Sequence, residues 1–195
     1  MKVLCLDLEG VLVPEIWQAV SETTGIKELQ KTTRDIPIYK DLMDLRLEVM
    51  RTHSIGLDTI TAIIKDIDPL PGARDFLDWA RQNFQVAIIS DTFYEFSAPL
   101  MDKLGRPMLL CHQLIVQGNS IIGYKIRQTD PKRASVKAFQ ALNYEVFAAG
   151  DSYNDVSMLE EADKGFFFRA PENVINDYQN YPLANSYDEL RQFLS

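Results

Sequence analysis

The chain opens on an apolar strand that ends in an acidic residue, and this stretch constrains the fold more than any other. Residues 2–6 read Lys-Val-Leu-Cys-Leu, and Asp7, Glu9 and Gly10 follow directly. A strand buried on both faces of a parallel sheet has such a continuous apolar run. Ligands of these sheets bind at the carboxyl ends of the strands. Asp7 is therefore predicted to be a nucleophile, a metal ligand or a capping group, and the stretch alone leaves these roles open.

A block of helical pattern without a strand follows the first strand. Three consecutive segments carry apolar residues at helical spacing, and Asp58 is predicted to be the N-cap of the third. Three helices in succession interrupt the alternation expected of an α/β fold. Residues 14–71 are therefore predicted to form a small helical cap domain. The remaining residues, 1–13 and 72–195, are predicted to form the catalytic core.

Strands and helices alternate again after the cap. Apolar strands are predicted at residues 85–90 and 146–149, and a β-hairpin at residues 109–116 and 121–127. Helical patterns precede and follow these strands. The fold class is therefore predicted to be α/β, with a doubly wound, Rossmann-like parallel sheet that is interrupted once by the cap.

Composition limits the function classes. The chain has 195 residues, of which 20 are basic and 28 acidic, so its net charge is −8. This balance argues against a general nucleic-acid binder but allows a local phosphate site. No segment approaches membrane-spanning length, so neither nucleic acid nor membrane is an expected partner, and a cytoplasmic location is expected.

Cysteine and histidine usage gives no sign of a separate site. The two cysteines, Cys5 and Cys111, lie in apolar runs and are predicted to be buried small hydrophobes, a disulfide or metal pair being the alternative. His53 and His112 belong to no cluster of ligand-type residues. A solvated or capping role is predicted for both histidines.

Polar side chains follow the predicted parallel strands at the edge where their carboxyl ends meet. Two carboxylates there, with room for water and a phosphate oxygen, suit Mg²⁺. An aspartate can attack phosphorus, a lysine and a serine can hold phosphate oxygens, and a glutamate can act as acid and base. The side chains expected to converge are Asp7, Glu9, Ser90, Lys132, Asp151, Asn154 and Asp155.

Three of these side chains have structural alternatives. Asp155 is four residues after Asp151 and could start a helix, because an acidic residue stabilises a helix N-terminus. Lys132 could be a solvated surface residue beside Arg133, and Ser90 could be an N-cap. The occurrence of all these groups at successive strand ends, in this order, favours the chemical interpretation.

The motifs carry a family resemblance over the whole chain. Asp7-Leu-Glu9-Gly-Val, Ser90 after a strand, Lys132, and Gly-Asp151-Ser-Tyr-Asn-Asp155 resemble the four motifs of the haloacid dehalogenase superfamily. The arrangement is similar to the phosphoserine phosphatases, and further stretches, including residues 32–37, resemble their bifunctional phosphatase/homoserine phosphotransferase branch.

The resemblance implies a role for each matching residue. Asp7 would be the nucleophile and a Mg²⁺ ligand with Asp151 and the Glu9 carbonyl, and Asp155 would support the metal. Substrate contacts would come from Glu15, which pairs with an ammonium group, from Arg46, which holds a carboxylate, and from Ser90, Asp91, Lys132 and Asn154. Glu15 could instead favour a helix N-terminus, and Arg46 could be a solvated helix residue.

Two positions depart from the family pattern. Glu9 stands where aspartate is usual, and Asp91 stands where phosphoserine phosphatases commonly have glycine. The longer acid and the added charge make transfer to a second alcohol more plausible than in relatives that have aspartate and glycine at these positions. The expected activity is Mg²⁺-dependent hydrolysis of O-phospho-L-serine through phospho-Asp7, with transfer of the phosphoryl group to L-homoserine as the alternative.

A non-enzymatic alternative is a receiver-like switch phosphorylated on Asp7, since receivers also use carboxylates and a lysine on an α/β sheet. The cap argues against it, because a switch needs no lid over a substrate. The expected partner is a small phosphorylated amino acid. A homodimer could form through the exposed edge of the predicted hairpin, residues 109–127.

Overall fold

The computed structural model describes residues 1–33, 35–36 and 38–195, and a seven-stranded sheet lies at its centre. The strands are β1 (Lys2–Leu6), β2 (Gln85–Phe93), β3 (Met108–Gln117), β4 (Ser120–Lys125), β5 (Glu145–Gly150), β6 (Lys164–Phe168) and β7 (Leu183–Ala184). Their order is β4-β3-β2-β1-β5-β6-β7. All neighbouring pairs are parallel except β3 and β4, which form the predicted hairpin at one edge.

Nine α-helices surround this sheet within the described residues. They are α1 (Ile16–Thr24), α2 (Tyr39–Thr52), α3 (Leu57–Asp66), α4 (Ala73–Asn83), α5 (Tyr94–Lys103), α6 (Pro131–Ala141), α7 (Val156–Glu161), α8 (Glu172–Asp177) and α9 (Tyr187–Leu194). Short 3₁₀ helices span Lys27–Gln30 and Tyr153–Asp155. Arg34 and Pro37, within the stretch 32–37 noted above, lie outside the described residues.

Strand β1 is buried on both faces, as its continuous apolar run predicted. Leu4 and Leu6 pack into the larger hydrophobic cluster, whereas Val3 and Cys5 pack into the smaller one on the other face. Side chains alternate between the faces of a strand, so one short segment contributes to both layers. The α/β, doubly wound fold is thus confirmed.

Helices α1–α3 stand between β1 and α4 in the chain and pack onto the core. Their buried residues Val20, Met43 and Ile60 share one hydrophobic cluster with Leu6 and Phe96. The three helices are therefore joined to the sheet by a continuous apolar contact. The division into a cap (14–71) and a core stays a prediction.

The turn of the hairpin fastens the cap from the side. Asn119 accepts the Leu57 N–H through its backbone oxygen at 2.9 Å and the Asp58 N–H through its side chain at 2.8 Å. Asp58 is therefore not the N-cap that the sequence predicted, since Gly56 occupies that position. A residue 61 positions away satisfies the exposed N–H groups of α3 instead.

Three further elements differ from the sequence prediction. Strand β2 continues beyond Ser90 to Phe93, with an irregular register between Ile89 and Phe93. Helix α8 and the two-residue strand β7 were not predicted. Helix α8 buries only Val174, so it carries no apolar periodicity that could reveal it.

Cys5 and Cys111 are buried and unbonded to each other, as predicted, and burial raises the pKa of both thiols. No helix among the described residues is both long enough and apolar enough to span a bilayer.

Candidate active site

Asp7 lies at the buried floor of the site. Its N–H donates to the Ala149 carbonyl at 3.0 Å, which continues the pairing of β1 with β5, and its Oδ1 accepts the Leu8 N–H at 2.8 Å. Burial and the charges of Asp155 and Asp151 raise the pKa of Asp7 well above its ordinary value, although Lys132 opposes the rise. A cation bound here would therefore stabilise the ionised form of Asp7.

Lys132 is the cation of this floor and is only 2 % exposed. Its Nζ lies 3.1 Å from Asp7 Oδ2 and 2.5 Å from Asp155 Oδ1. Burial lowers the pKa of Lys132, but the neighbouring carboxylates Asp155 and Asp7 outweigh burial and hold it well above its usual value. The solvated alternative for Lys132 is therefore wrong, and the side chain is a charged, buried group.

Asp155 acts as a scaffold for the loop that follows β5. Its Oδ2 accepts the backbone N–H groups of Asp151 at 2.9 Å and Ser152 at 3.1 Å, while its Oδ1 binds Lys132. The helix-start alternative is also realised, because Ser152 and Asp155 form a reciprocal capping box. One fully buried side chain thus orders the loop and fixes the lysine.

The residues present fit a divalent cation. Asp7, Asp151 and Asp155 each offer one carboxylate oxygen, and these three atoms lie within 4.8 Å of one another. Hard divalent cations prefer such oxygen ligands. Asp155 also accepts hydrogen bonds at both of its oxygens, from Lys132 and from the Asp151 N–H, so it orders this cluster as well as contributing charge to it.

Glycine is required twice beside this cluster. Gly10 has a φ of 76°, and a Cβ there would overlap the Asp151 carboxylate. A Cβ on Gly150 would likewise overlap the side chain of Asp155. The close approach of the two strand ends therefore depends on the absence of side chains at these positions.

Glu9 lies on the cap side of the site, where its Oε2 accepts the N–H of Ile16 at 2.8 Å. The carboxyl group thus contacts the N-terminus of α1. Burial, then the charge of Glu15, raises the pKa of Glu9 to about 8, against the opposing effects of the Ile16 N–H and Arg46. Glu9 is therefore protonated at neutral pH and can donate a proton.

We expect replacement of Glu9 by glutamine to stabilise the metal-free protein at high pH. A carboxyl whose folded-state pKa lies above its unfolded value contributes stability below the unfolded pKa and loses it as pH rises through the folded pKa. The free energy of unfolding of the wild type should therefore fall between pH 5 and 9, because the folded-state pKa of Glu9, about 8, lies in this range. The Glu9→Gln variant should avoid a few kcal/mol of this decrease in unfolding free energy.

Urea unfolding of chelator-treated protein at pH 5, 7 and 9 measures this effect. Glu22→Gln, on the exposed face of α1, is the matched control and should follow the wild-type pH dependence. Parallel wild-type and Glu9→Gln curves would contradict the prediction.

The cap supplies a buried arginine opposite the carboxylates. Arg46 is 7 % exposed, its guanidinium lies 4.5 Å from the centre of the Trp17 ring, and its Nη2 donates to the Lys31 carbonyl at 2.9 Å. Burial lowers the pKa of Arg46 to about 10, so it stays charged at neutral pH. Its Nε has no hydrogen-bond partner within the part of the chain described here. The solvated alternative for Arg46 is therefore wrong.

Glu15 stands at the exposed lip of the cavity, at the N-cap position of α1, but its side chain makes no capping hydrogen bond. This position is consistent with the alternative that Glu15 favours a helix N-terminus through its charge. Ser90 is 4 % exposed and lines the same cavity. The N-cap alternative for Ser90 is wrong, since Phe93 holds that position for α5.

Eight of the predicted side chains line a partly open cavity of about 220 Å³ between cap and core, whereas Lys132 and Asp155 are not among its lining residues. Asp91 and Asn154 form part of its wall, with Asn154 Nδ2 donating to Asp91 Oδ2 at 2.9 Å. Burial alone would raise the pKa of Asp91, but Lys132, His112 and Asn154 outweigh it and lower the pKa to about 2. Asp91 therefore adds a fixed negative charge. The residues that the sequence placed here and that line the cavity are Asp7, Glu9, Glu15, Arg46, Ser90, Asp91, Asp151 and Asn154.

Sequence reasoning missed several residues of the site, among them two aromatic residues of the cap and His112. Trp17 and Tyr39, both from the cap, line the cavity. His112, predicted to be solvated or capping, is instead 2 % exposed, with its Nε2 3.4 Å from Asp91 Oδ1. It sits in β3, and the pairing of β3 with β2 brings it beside the end of β2.

Comparison with known proteins decides the family. The family model for haloacid dehalogenase-like hydrolases matches residues 25–160. The chain belongs to this family. It is 55 % identical to phosphoserine phosphatase ThrH of Pseudomonas aeruginosa over 100 % of its length and 96 % of that protein. It is 54 % identical to a phosphoserine phosphatase of Pseudomonas syringae pv. tomato, covering 98 % of this chain and 81 % of that protein.

Solved structures agree with the fold. A phosphoserine phosphatase from T. onnurineus is 25 % identical, with a TM-score of 0.74 and coverage of 98 % of this chain and 93 % of that one. A phosphoserine phosphatase solved as a phospho-aspartyl intermediate analogue has a TM-score of 0.81 at 18 % identity and covers 98 % of both chains. Membership in a hydrolase family favours an enzyme over the receiver-like switch, and a divalent metal is usual for its phosphatases.

Proposed function

We propose that the protein hydrolyses O-phospho-L-serine through a phospho-Asp7 intermediate, with Mg²⁺ as the metal. The observation that carries the proposal is the cavity of about 220 Å³, which has Asp7 on its core side and the cationic Arg46 on its cap side. Relatives more than half identical over nearly the whole chain are named phosphoserine phosphatases.

The first half-reaction transfers the phosphoryl group to Asp7. A carboxylate oxygen of Asp7 attacks phosphorus, and the bond from phosphorus to the serine oxygen breaks. Glu9, protonated because its pKa is about 8, gives its proton to the leaving oxygen. Lys132 and Ser90 hold the phosphate oxygens during this transfer.

The second half-reaction returns the enzyme to its starting state. Glu9, now a carboxylate, takes a proton from water as the water oxygen attacks phosphorus. The bond from phosphorus to Asp7 breaks, and inorganic phosphate leaves. Asp7, Asp151 and the Glu9 carbonyl would hold a Mg²⁺ ion, which would supply positive charge that keeps Asp7 ionised and offsets the charge of the phosphate.

The zwitterionic end of the substrate would contact the cap. The Nε of Arg46 has no partner among the described residues, so it is suited to donate to a carboxylate. Glu15 lies at the exposed lip of the cavity, where it can pair with an ammonium group. These two contacts would select an amino-acid phosphate over a simple phosphate ester.

We expect Arg46→Gln to remove this selection. The kcat/KM for phosphoserine should fall about 10- to 100-fold, as the loss of a charged hydrogen bond predicts. The kcat/KM for phosphoethanolamine, which lacks the carboxylate, should change less than about threefold by the same reasoning. Phosphate release from both substrates, with Mg²⁺ or with a chelator, measures the effect.

Arg51→Gln is the matched control, because Arg51 is exposed on the same helix and pairs only with Glu48 among the described residues. It should behave as wild type. Equal losses with both substrates in Arg46→Gln would contradict the carboxylate role. A wild-type protein that released no phosphate from phosphoserine would contradict the proposed substrate.

Transfer to L-homoserine is the second candidate. Glu15 and Arg46 both influence the pKa of Glu9, so the acid–base group lies beside the residues proposed to hold an amino acid. An amino-acid alcohol bound there would meet Glu9 in place of water. Formation of phosphohomoserine from phosphoserine when L-homoserine is added tests this transfer.

Location and assembly belong to the same proposal. We expect a cytoplasmic enzyme that binds a phosphorylated amino acid and neither nucleic acid nor membrane. The net charge of −8 and the amino-acid substrate favour this assignment. Strand β4 lies at the sheet edge with Ile122 57 % exposed, which supports the proposed homodimer.

A further inference from the structure

A second, larger cavity adjoins the catalytic one. Its volume is about 1080 Å³, and it is lined by Lys132, His112 and residues of the loops that precede α6 and follow β5. Five described residues line both cavities and so form the wall between them. They are Thr33, Tyr39, Asp91, Ser152 and Asn154.

Asp91 is the centre of this wall. From the cap, Tyr39 Oη donates to the Asp91 carbonyl at 3.2 Å. From the loop after β5, Asn154 Nδ2 donates to Asp91 Oδ2 at 2.9 Å. Contacts from two separate parts of the chain thus meet on one residue.

His112 contacts Asp91 from the neighbouring strand β3. The His112 Nδ1 accepts the backbone N–H of Arg127 at 3.3 Å, so the proton of the neutral ring is assigned to Nε2. Nε2 lies 3.4 Å from Asp91 Oδ1, whereas Asn154 donates to the other carboxylate oxygen, Oδ2. The ring is packed between Tyr39 and Phe93, at centroid distances of 5.9 and 6.1 Å.

We propose that His112 is a positioning residue for substrate size. By holding Asp91 against Asn154 it keeps the wall closed, so the alcohol part of the substrate must fit a cavity of about 220 Å³. With the wall open, a bulky alcohol group could extend into the larger cavity. This inference builds on the proposed phosphatase function and adds the residue that limits its substrates.

Two substitutions at His112 separate positioning from packing. His112→Asn keeps an acceptor near the Nδ1 position for the Arg127 N–H but has no donor that reaches Asp91. His112→Gln places an amide donor near the Nε2 position and so retains a contact with Asp91. His53→Asn, an exposed residue at the end of α2, controls for the same chemical change elsewhere.

The readout is the ratio of kcat/KM for O-phospho-L-tyrosine to that for O-phospho-L-serine. We expect the ratio to rise at least tenfold in His112→Asn, to stay within about threefold of wild type in His112→Gln, and not to change in His53→Asn. Tyr39→Phe, which removes only the hydroxyl bond to the wall, should raise the ratio by a smaller factor. It tests the same wall if His112→Asn does not fold.

A parallel loss with both substrates in His112→Asn, or an unchanged ratio in both His112→Asn and Tyr39→Phe, would overturn the proposal. The pair ethyl phosphate and 4-nitrophenyl phosphate repeats the comparison without an amino-acid group. If phosphoserine is not hydrolysed, the proposed substrate fails while this second pair still tests the wall.

Discussion

Replacement of Asp7 by asparagine is expected to abolish phosphate release from phosphoserine, with kcat lowered by about 10⁵-fold or more, as for other lost nucleophiles. The amide cannot form the phosphoryl-enzyme bond, and it is a weaker ligand for a divalent cation. Residual turnover should show no burst of alcohol release. Rapid-quench measurement of serine and phosphate on one sample distinguishes lost chemistry from lost binding.

The same substitution is not expected to damage the fold. Asp7 is buried among carboxylates that raise its pKa, so removal of its charge relieves repulsion while Lys132 keeps its bond to Asp155. The thermal midpoint of metal-free Asp7→Asn at pH 8 should be at least that of wild type. Asp66→Asn, an exposed aspartate at the end of α3, is the control for activity. Wild-type turnover by Asp7→Asn would exclude Asp7 as the nucleophile.

The sequence predicted the floor of this site because parallel strands align their carboxyl ends. Asp7 follows β1 and Asp151 follows β5, and the two strands are direct neighbours in the sheet. Once the strands were recognised from their apolar runs, the convergence of their polar ends needed no further information. Lys132 was found in the same way, as the residue at the start of the helix that feeds β5.

The walls of the site could not be predicted in this way. Tyr39 comes from the cap and His112 from the hairpin, and nothing in the spacing of either from Asp91 indicates contact. Their positions depend on how the cap packs on the sheet and on the irregular register near Phe93. These are tertiary features, which local periodicity does not encode.

Asp91 shows how the structure changes the meaning of a residue. From the sequence it was an added negative charge near the phosphate. In the structure both of its oxygens are engaged, by His112 and by Asn154, and its backbone carbonyl accepts the Tyr39 hydroxyl. The side chain is therefore part of the wall that shapes the cavity as well as a source of charge.

Replacement of Lys132 by methionine is expected to have the largest effect on stability. Methionine fills a similar volume without the charge, so Asp7 and Asp155 would be left buried without their shared cation. Removal of one partner from a buried ion pair costs about 3–5 kcal/mol, because the remaining charge stays uncompensated. Activity should also fall by several powers of ten, because the phosphate loses its fixed positive charge.

The deficit of Lys132→Met should depend on pH. Loss of the lysine raises the pKa of Asp7 further, so the folded protein loses stability as pH rises through the pKa of Asp7. The difference from wild type, measured by urea unfolding of metal-free protein, should therefore be larger at pH 8 than at pH 5. Added Mg²⁺ should reduce it by binding the folded state.

Lys137→Met is the matched control for this experiment. Lys137 lies on the same helix, α6, but its side chain is 61 % exposed and its ion pair with Glu161 spans 3.6 Å. An exposed pair of this kind contributes about 0–1 kcal/mol, so the control should unfold close to wild type at both pH values. Equal unfolding free energies for the two variants would show that Lys132 is not the charge that balances the buried carboxylates. This result would also contradict the proposed role of Lys132 as the cation that binds the phosphate.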